Sequence, residues 1–89
     1  MSSEYDDGGP IRPDGLAIRR LRRDRGWSRR ELLEAIAEAT LRETGIRETI
    51  SPNLLEGIEE GDEPIPYSTL CRIASGLECE PVELVAEPV

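Results

Sequence analysis

The groups in this 89-residue chain best suited to grip a charged molecule are its eleven basic residues, all of them arginine. Eight of these, Arg12, Arg19, Arg20, Arg22, Arg23, Arg25, Arg29 and Arg30, lie between positions 11 and 30 against only Asp14 and Asp24. That segment is net +6 in a chain of net charge -8, a basic stripe on an acidic body. A guanidinium is a planar fork that meets phosphate or carboxylate oxygens two at a time, so the stripe is where a phosphate backbone could be held. The overall acidity argues against indiscriminate nucleic-acid binding.

Other chemistry is poorly provided for. There is no histidine, and no Ser/His/Asp, Cys/His or glycine-rich phosphate-loop arrangement, which removes most routes to nucleophilic or acid-base catalysis. No enzyme activity and no small-molecule substrate are expected. Cys71 and Cys79 stand eight residues apart and match no zinc spacing. They read as small apolar residues of a reduced cytoplasmic protein, and neither a metal nor another cofactor is expected.

No apolar run approaches the length of a membrane span, and the N-terminus lacks the pattern of a secretory signal. A single soluble domain is predicted. A chain this short buries only about 60% of its unfolded surface, so self-association, most simply as a homodimer, would supplement its stability. Residues 1–13 (MSSEYDDGGPIRP) are acidic and aperiodic, and read as a flexible arm whose charge could fold back on the arginines, leaving 14–89 as the folded domain.

Within that domain the pattern is helical throughout. Asp14 can cap a first helix carrying Ala17, Ile18 and Leu21 on one face, which Gly26 ends. Trp27 reads as a core residue at the corner. Ser28 and Glu31 form a capping box for a long second helix with Leu32, Leu33, Ile36, Ala37, Thr40 and Leu41 as its apolar stripe, running towards Gly45. After a loop over 45–50, Ser51-Pro52 opens a third helix, SPNLLEGIEE, that stops at Gly61. Leu70, Ile73, Ala74 and Leu77 line a fourth, and Pro81 opens a short fifth, PVELV. The fold class is all-α, with five helices. The second and third follow one another as in a helix-turn-helix, where the later helix offers its N-terminus to the DNA major groove.

The segments GLAIRRLRRDRGWSRRELLEAIA and ISPNLLEGIEEGDEPIPYSTLCRIASGLECEPVELV resemble the Cro and phage-repressor (xenobiotic-response-element) helix-turn-helix family over about residues 14–86. The matching features are an arginine-rich first helix ending in Gly26, the cap and ELL of the second, Ile58-Glu59-x-Gly61, a proline-containing linker, and the L-x-x-I-A-x-x-L of the fourth. The resemblance implies a five-helix lambda-repressor-like bundle, here with a lengthened second helix and turn. It implies a sequence-specific regulator that binds double-stranded DNA as a dimer through a recognition helix at about 51–60. Arg22 and Glu59 would form a structural ion pair. Arg19, Arg23, Arg29 and Arg30 would lie near phosphate, and Ser51, Pro52, Asn53, Leu54, Glu56 and Gly57 would face the groove. Asn53 can pair with adenine, Leu54 can meet a thymine methyl or simply pack, and Glu56 can accept from cytosine.

Two departures from the family pattern stand out. The segment ATLRETGIRET, residues 39–49, lengthens the second helix and its turn, which could widen the footprint, shift the recognition helix or supply a protein-binding surface. Glu48, Glu56, Glu59, Glu60, Asp62 and Glu63 surround the recognition helix, and unpaired carboxylates repel phosphates. An alternative function follows: a protein-interaction module of the same fold, antitoxin-like, whose acidic third-helix face docks on a protein. The direction of Arg19, Arg23, Arg29 and Arg30 relative to Asn53 discriminates the two. A dimer surface is expected at Val82, Leu84, Val85 and the corner between the last two helices. Glu78, where many relatives end the fourth helix with glycine, has no explanation in the sequence.

Overall fold

A computed structural model describes residues 10–86. Four α-helices form in the order α1 (Gly15–Asp24), α2 (Arg29–Thr44), α3 (Pro52–Gly61) and α4 (Tyr67–Leu77), followed by a 3-10 turn at Pro81–Leu84. The described residues hold no strand beyond two isolated bridges, Ile11 with Ile65 and Pro13 with Val85. The fold is all-helical. The expected fifth helix is this 3-10 turn: Pro81 sets its start, and at four residues PVEL closes only i to i+3 bonds before Val85 turns extended.

Local chemistry sets the boundaries. The Asp14 carboxylate accepts from the Ala17 amide at 3.1 Å, and Gly26 follows α1 with φ of 73°. Ser28 Oγ accepts from the Glu31 amide while Glu31 Oε1 accepts from the Ser28 amide, at 3.1 and 2.7 Å, so two of the amides left free at the start of α2 are met. Ser51 Oγ accepts from the Leu54 amide at 3.0 Å, and Pro52 sits in the first turn of α3 with no amide to leave unpaired. The residues in the left-handed region after α3 and α4 are Asp62 and Glu78, with φ of 51° and 59°. At Glu78 the amide still caps α4 on Ala74 and Ser75 carbonyls, so a glutamate takes the conformation that glycine adopts more cheaply.

Ile18, Leu32, Ile36, Ile50, Leu55, Ile58, Ile65, Leu70, Ile73, Leu77 and Leu84 form the core. Helix α2 packs chiefly on α4 and α1 chiefly on α3. The folded unit starts earlier than position 14. Ile11 exchanges two backbone hydrogen bonds with Ile65, at 2.7 and 2.9 Å, the Asp14 amide donates to the Leu84 carbonyl at 2.7 Å, and Pro13 is buried. The end of the segment read as an arm is therefore threaded between the α3–α4 linker and the C-terminal turn. Its acidic beginning, and any contact of it with the arginines, lies outside the described residues. Leu84 is fully buried in the chain's own core, which removes it from the expected dimer surface and leaves Val82, 75% exposed, as that corner's outward apolar residue.

The segment 39–49 is tied down along its length. Thr40 Oγ1 accepts from the Glu48 amide at 2.8 Å and lies 2.7 Å from the Glu48 carbonyl; Thr49 Oγ1 donates to the Leu33 carbonyl at 2.8 Å. Arg47 bridges Glu34 and Glu38 at 2.6 and 2.8 Å, and Arg72 of α4 meets Glu48 at 3.1 Å. Residues 45–50 thus double back along α2 as far as Leu33 and bring Ile50, buried, to the start of α3. Among the described residues no helix is long and apolar enough to cross a membrane.

Candidate nucleic-acid interface

One carboxylate organises the α1–α3 contact. Glu59, whose side chain is fully buried, takes Arg22 Nε on Oε2 and Arg22 Nη2 on Oε1, both at 2.8 Å. Arg22 Nη1 donates to the Trp27 carbonyl at 2.8 Å, so this arginine locks the end of α1, the corner and α3 together. Trp27 itself is half-buried against the core, with the Arg25 guanidinium 5.7 Å from its ring centroid. Arg25 also donates to the Leu77 carbonyl at the end of α4. Burial alone would raise the Glu59 pKa; the hydrogen bonds from Arg22 and Arg29 outweigh it and hold the carboxyl below its ordinary value.

A second ion pair layer lies outside the first. Arg29, the first residue of α2, places Nε on Glu59 Oε1 at 2.9 Å and Nη2 on Glu60 Oε2 at 2.6 Å. Arg19 reaches the same place from α1, with Nη2 at 3.4 Å from the Glu59 carbonyl and 3.8 Å from Glu60 Oε1. The hydrogen bond from Arg29 is the main reason that the Glu60 carboxyl also sits below its ordinary range.

Beyond this network the N-terminal ends of α2 and α3 face one cleft, lined by Arg29, Arg30, Leu33, Pro52, Asn53 and Glu56. Asn53 and Glu56 also border an acidic groove that continues along α3 past Gly57, Glu60 and Gly61 to Glu63. Of the residues singled out from sequence, Arg29, Arg30, Pro52, Asn53 and Glu56 are brought together, and Gly57 joins Asn53 in the groove. Ser51 is spent on the α3 cap, and Leu54 packs half-buried against the core, which favours its packing role. Arg19 is turned to Glu60, and Arg23 is exposed on α1 and lines neither cleft.

Two residues escaped the sequence reading. In the sequence Glu60 reads only as a repelling charge, although it follows Glu59 directly in a chain with an arginine-rich segment, and that charge complementarity is the signal of an arginine holder. Asp62 is a positional device: its carboxylate accepts from the Gly15 amide at 2.9 Å, joining the end of α3 to the start of α1, where a negative charge suits the helix dipole. Gly15 permits that approach, since a Cβ there would run into the Ile58 carbonyl oxygen. Cys71 and Cys79 are free and half-buried; burial and the neighbouring Glu83 push the Cys79 thiol up. Among the described residues no group of His, Cys, Asp or Glu is placed to hold a metal ion. No protein-family model, no curated protein and no solved structure matches this chain.

Proposed function

We propose that this chain is a sequence-specific DNA-binding transcriptional regulator of the Cro and phage-repressor helix-turn-helix type, with α3 as the recognition helix. The observation that carries the reading is the cleft in which Arg29 and Arg30, at the start of α2, face Asn53 and Glu56 at the start of α3. Cations flank the one side chain of α3 suited to a bidentate base contact, the arrangement needed to hold phosphate on one side and read base edges on the other. The buried Arg22–Glu59 pair fixes α3 against α1 for this task. The acting form is a cytoplasmic homodimer on two half-sites about 34 Å apart, with Val82 at the self-contact.

The acidic groove of Glu56, Glu60 and Glu63 supports a second reading, in which this face docks on a basic protein segment. Selection from random duplex DNA at low and moderate salt, followed by anisotropy titration of the enriched sequence, separates the two. The DNA reading predicts a two-fold-symmetric site, an affinity that falls with salt, and a loss of about 1–3 kcal/mol of discrimination in Asn53→Ala. No enrichment at either salt contradicts it and leaves the protein-docking reading.

A further inference from the structure

The outer edge of the Arg29 fork carries a carboxylate at the place where the proposed function needs a phosphate. Arg29 Nε is held from inside by buried Glu59, which fixes the orientation of the guanidinium, while Nη2 faces outward onto Glu60 Oε2 at 2.6 Å. The other oxygen of Glu60 faces Arg19 Nη2 at 3.8 Å. A single carboxylate from α3, 55% exposed, therefore bridges one arginine of α1 and one of α2, each about one-third exposed or less.

Arg19 is poorly served by this arrangement. Its two contacts are long, and its Nε is buried with no hydrogen-bond partner among the described residues. A buried donor left unpaired is costly, so a better acceptor would be favoured there. Carboxylate and phosphodiester present the same two-oxygen edge to a guanidinium. Exposed ion pairs hold weakly, so Glu60 can be displaced, whereas Arg22 has Nε, Nη1 and Nη2 all engaged and stays.

We infer that Arg19 and Arg29 form a phosphodiester-binding pair that Glu60 occupies in the free protein, so that docking on DNA exchanges this carboxylate for a backbone phosphate. The inference rests on the DNA-binding reading and adds a specificity device to it. Glu60 competes with every anionic polymer, and a duplex that also satisfies Asn53 and Glu56 overcomes it while a non-specific one does not.

The test compares wild type, Glu60→Gln, Glu63→Gln and the double variant Glu60→Gln/Arg19→Gln. Glu63 borders the same groove without an arginine partner among the described residues, and so controls for the general loss of one negative charge. In anisotropy titrations on a non-specific fluorescent duplex, Glu60→Gln is expected to bind about three- to tenfold tighter than wild type, with a salt slope steeper by about 1 to 2 as Arg19 and Arg29 take up phosphates. The double variant should give back much of that gain, and Glu63→Gln should show little of it. Thermal unfolding with inorganic phosphate at constant ionic strength provides a DNA-independent readout, in which Glu60→Gln should be stabilised more than wild type. Equal behaviour of Glu60→Gln and wild type in both assays, or an equal gain in Glu63→Gln, overturns the exchange even where duplex is bound. If no variant binds duplex, the DNA reading fails, and phosphate stabilisation confined to Glu60→Gln upholds the anion site while its absence overturns that too.

Discussion

The two main helix contacts of this domain are built from different materials. Where α2 meets α4 the contact is chiefly apolar and close: Leu32 and Ile36 of α2 join Ile73, Ala74 and Leu77 of α4 in the core, a Cβ on Gly76 would stand 2.7 Å from Ile36 Cγ1 and 3.0 Å from its Cα, and the one side-chain hydrogen bond between the two helices among the described residues, Ser75 to Glu43, is exposed. Where α1 meets α3 the closest polar links are the Arg22–Glu59 fork and the Gly15–Asp62 hydrogen bond, beside Ile18 and Ile58, with the longer contacts of Arg19 to Glu59 and Glu60 outside them. Apolar contact is non-directional and tolerates small slips, whereas a bidentate ion pair and a backbone-to-carboxylate bond fix rotation and register. The proposed recognition helix, α3, is the one held by directional bonds.

This contrast can be broken most severely at Glu59. Glu59→Ala strands Arg22 in a buried place and should cost about 3–5 kcal/mol in urea unfolding, with α3 losing its fixed orientation. A loss under 1 kcal/mol would show that the polar contact is ornamental. Smaller effects are expected from closing either glycine approach. Gly76→Ala and Gly15→Ala should each cost about 1–3 kcal/mol by overpacking. Only the second should also expose the α3 amides to faster hydrogen exchange, because it pushes the α1 start from Asp62.

The segment 39–49 gives a finer test. Thr40→Val removes the acceptor of the Glu48 amide and should cost about 1–2 kcal/mol, with increased exchange confined to residues 45–50 and little change in the α1–α3 contact. Acid titration tests the α1–α3 contact. The Glu59 carboxyl is held below its ordinary 4.5, so its ionised form stabilises the fold above that pH, and the contribution is lost as pH falls through the depressed value. Wild type should therefore lose stability steeply below about pH 4.5. Glu59→Gln, less stable at neutral pH, should fall less over the same range.

Much of this organisation was legible in the sequence because it rests on local chemistry. Asp14, the Ser28–Glu31 box, Gly45 and Ser51-Pro52 each act within four residues, and they mark helix starts and stops where the structure has them. The fate of Leu84 and of residues 11–13 was not legible, since both depend on the two ends of the folded unit meeting beside the α3–α4 linker. PVELV carries an apolar pattern too short to tell an α-helical turn from a 3-10 turn. In the site, residue types indicated that arginines and Asn53 could act together. That Arg29 and Arg19 spend their outer faces on Glu60 depends on a spatial register between α1, α2 and α3 that no local pattern encodes.

In the proposed recognition mode, duplex DNA is met by the starts of α2 and α3. Its most direct test is a two-dimensional amide NMR titration of the labelled protein with the selected duplex at moderate salt. Shift changes concentrated at residues 28–30 and 51–57 are expected, with the Arg19 and Arg29 side-chain signals moving as Glu60 is released. Changes centred instead on Val82 and the C-terminal turn, or none at saturating duplex, would contradict it.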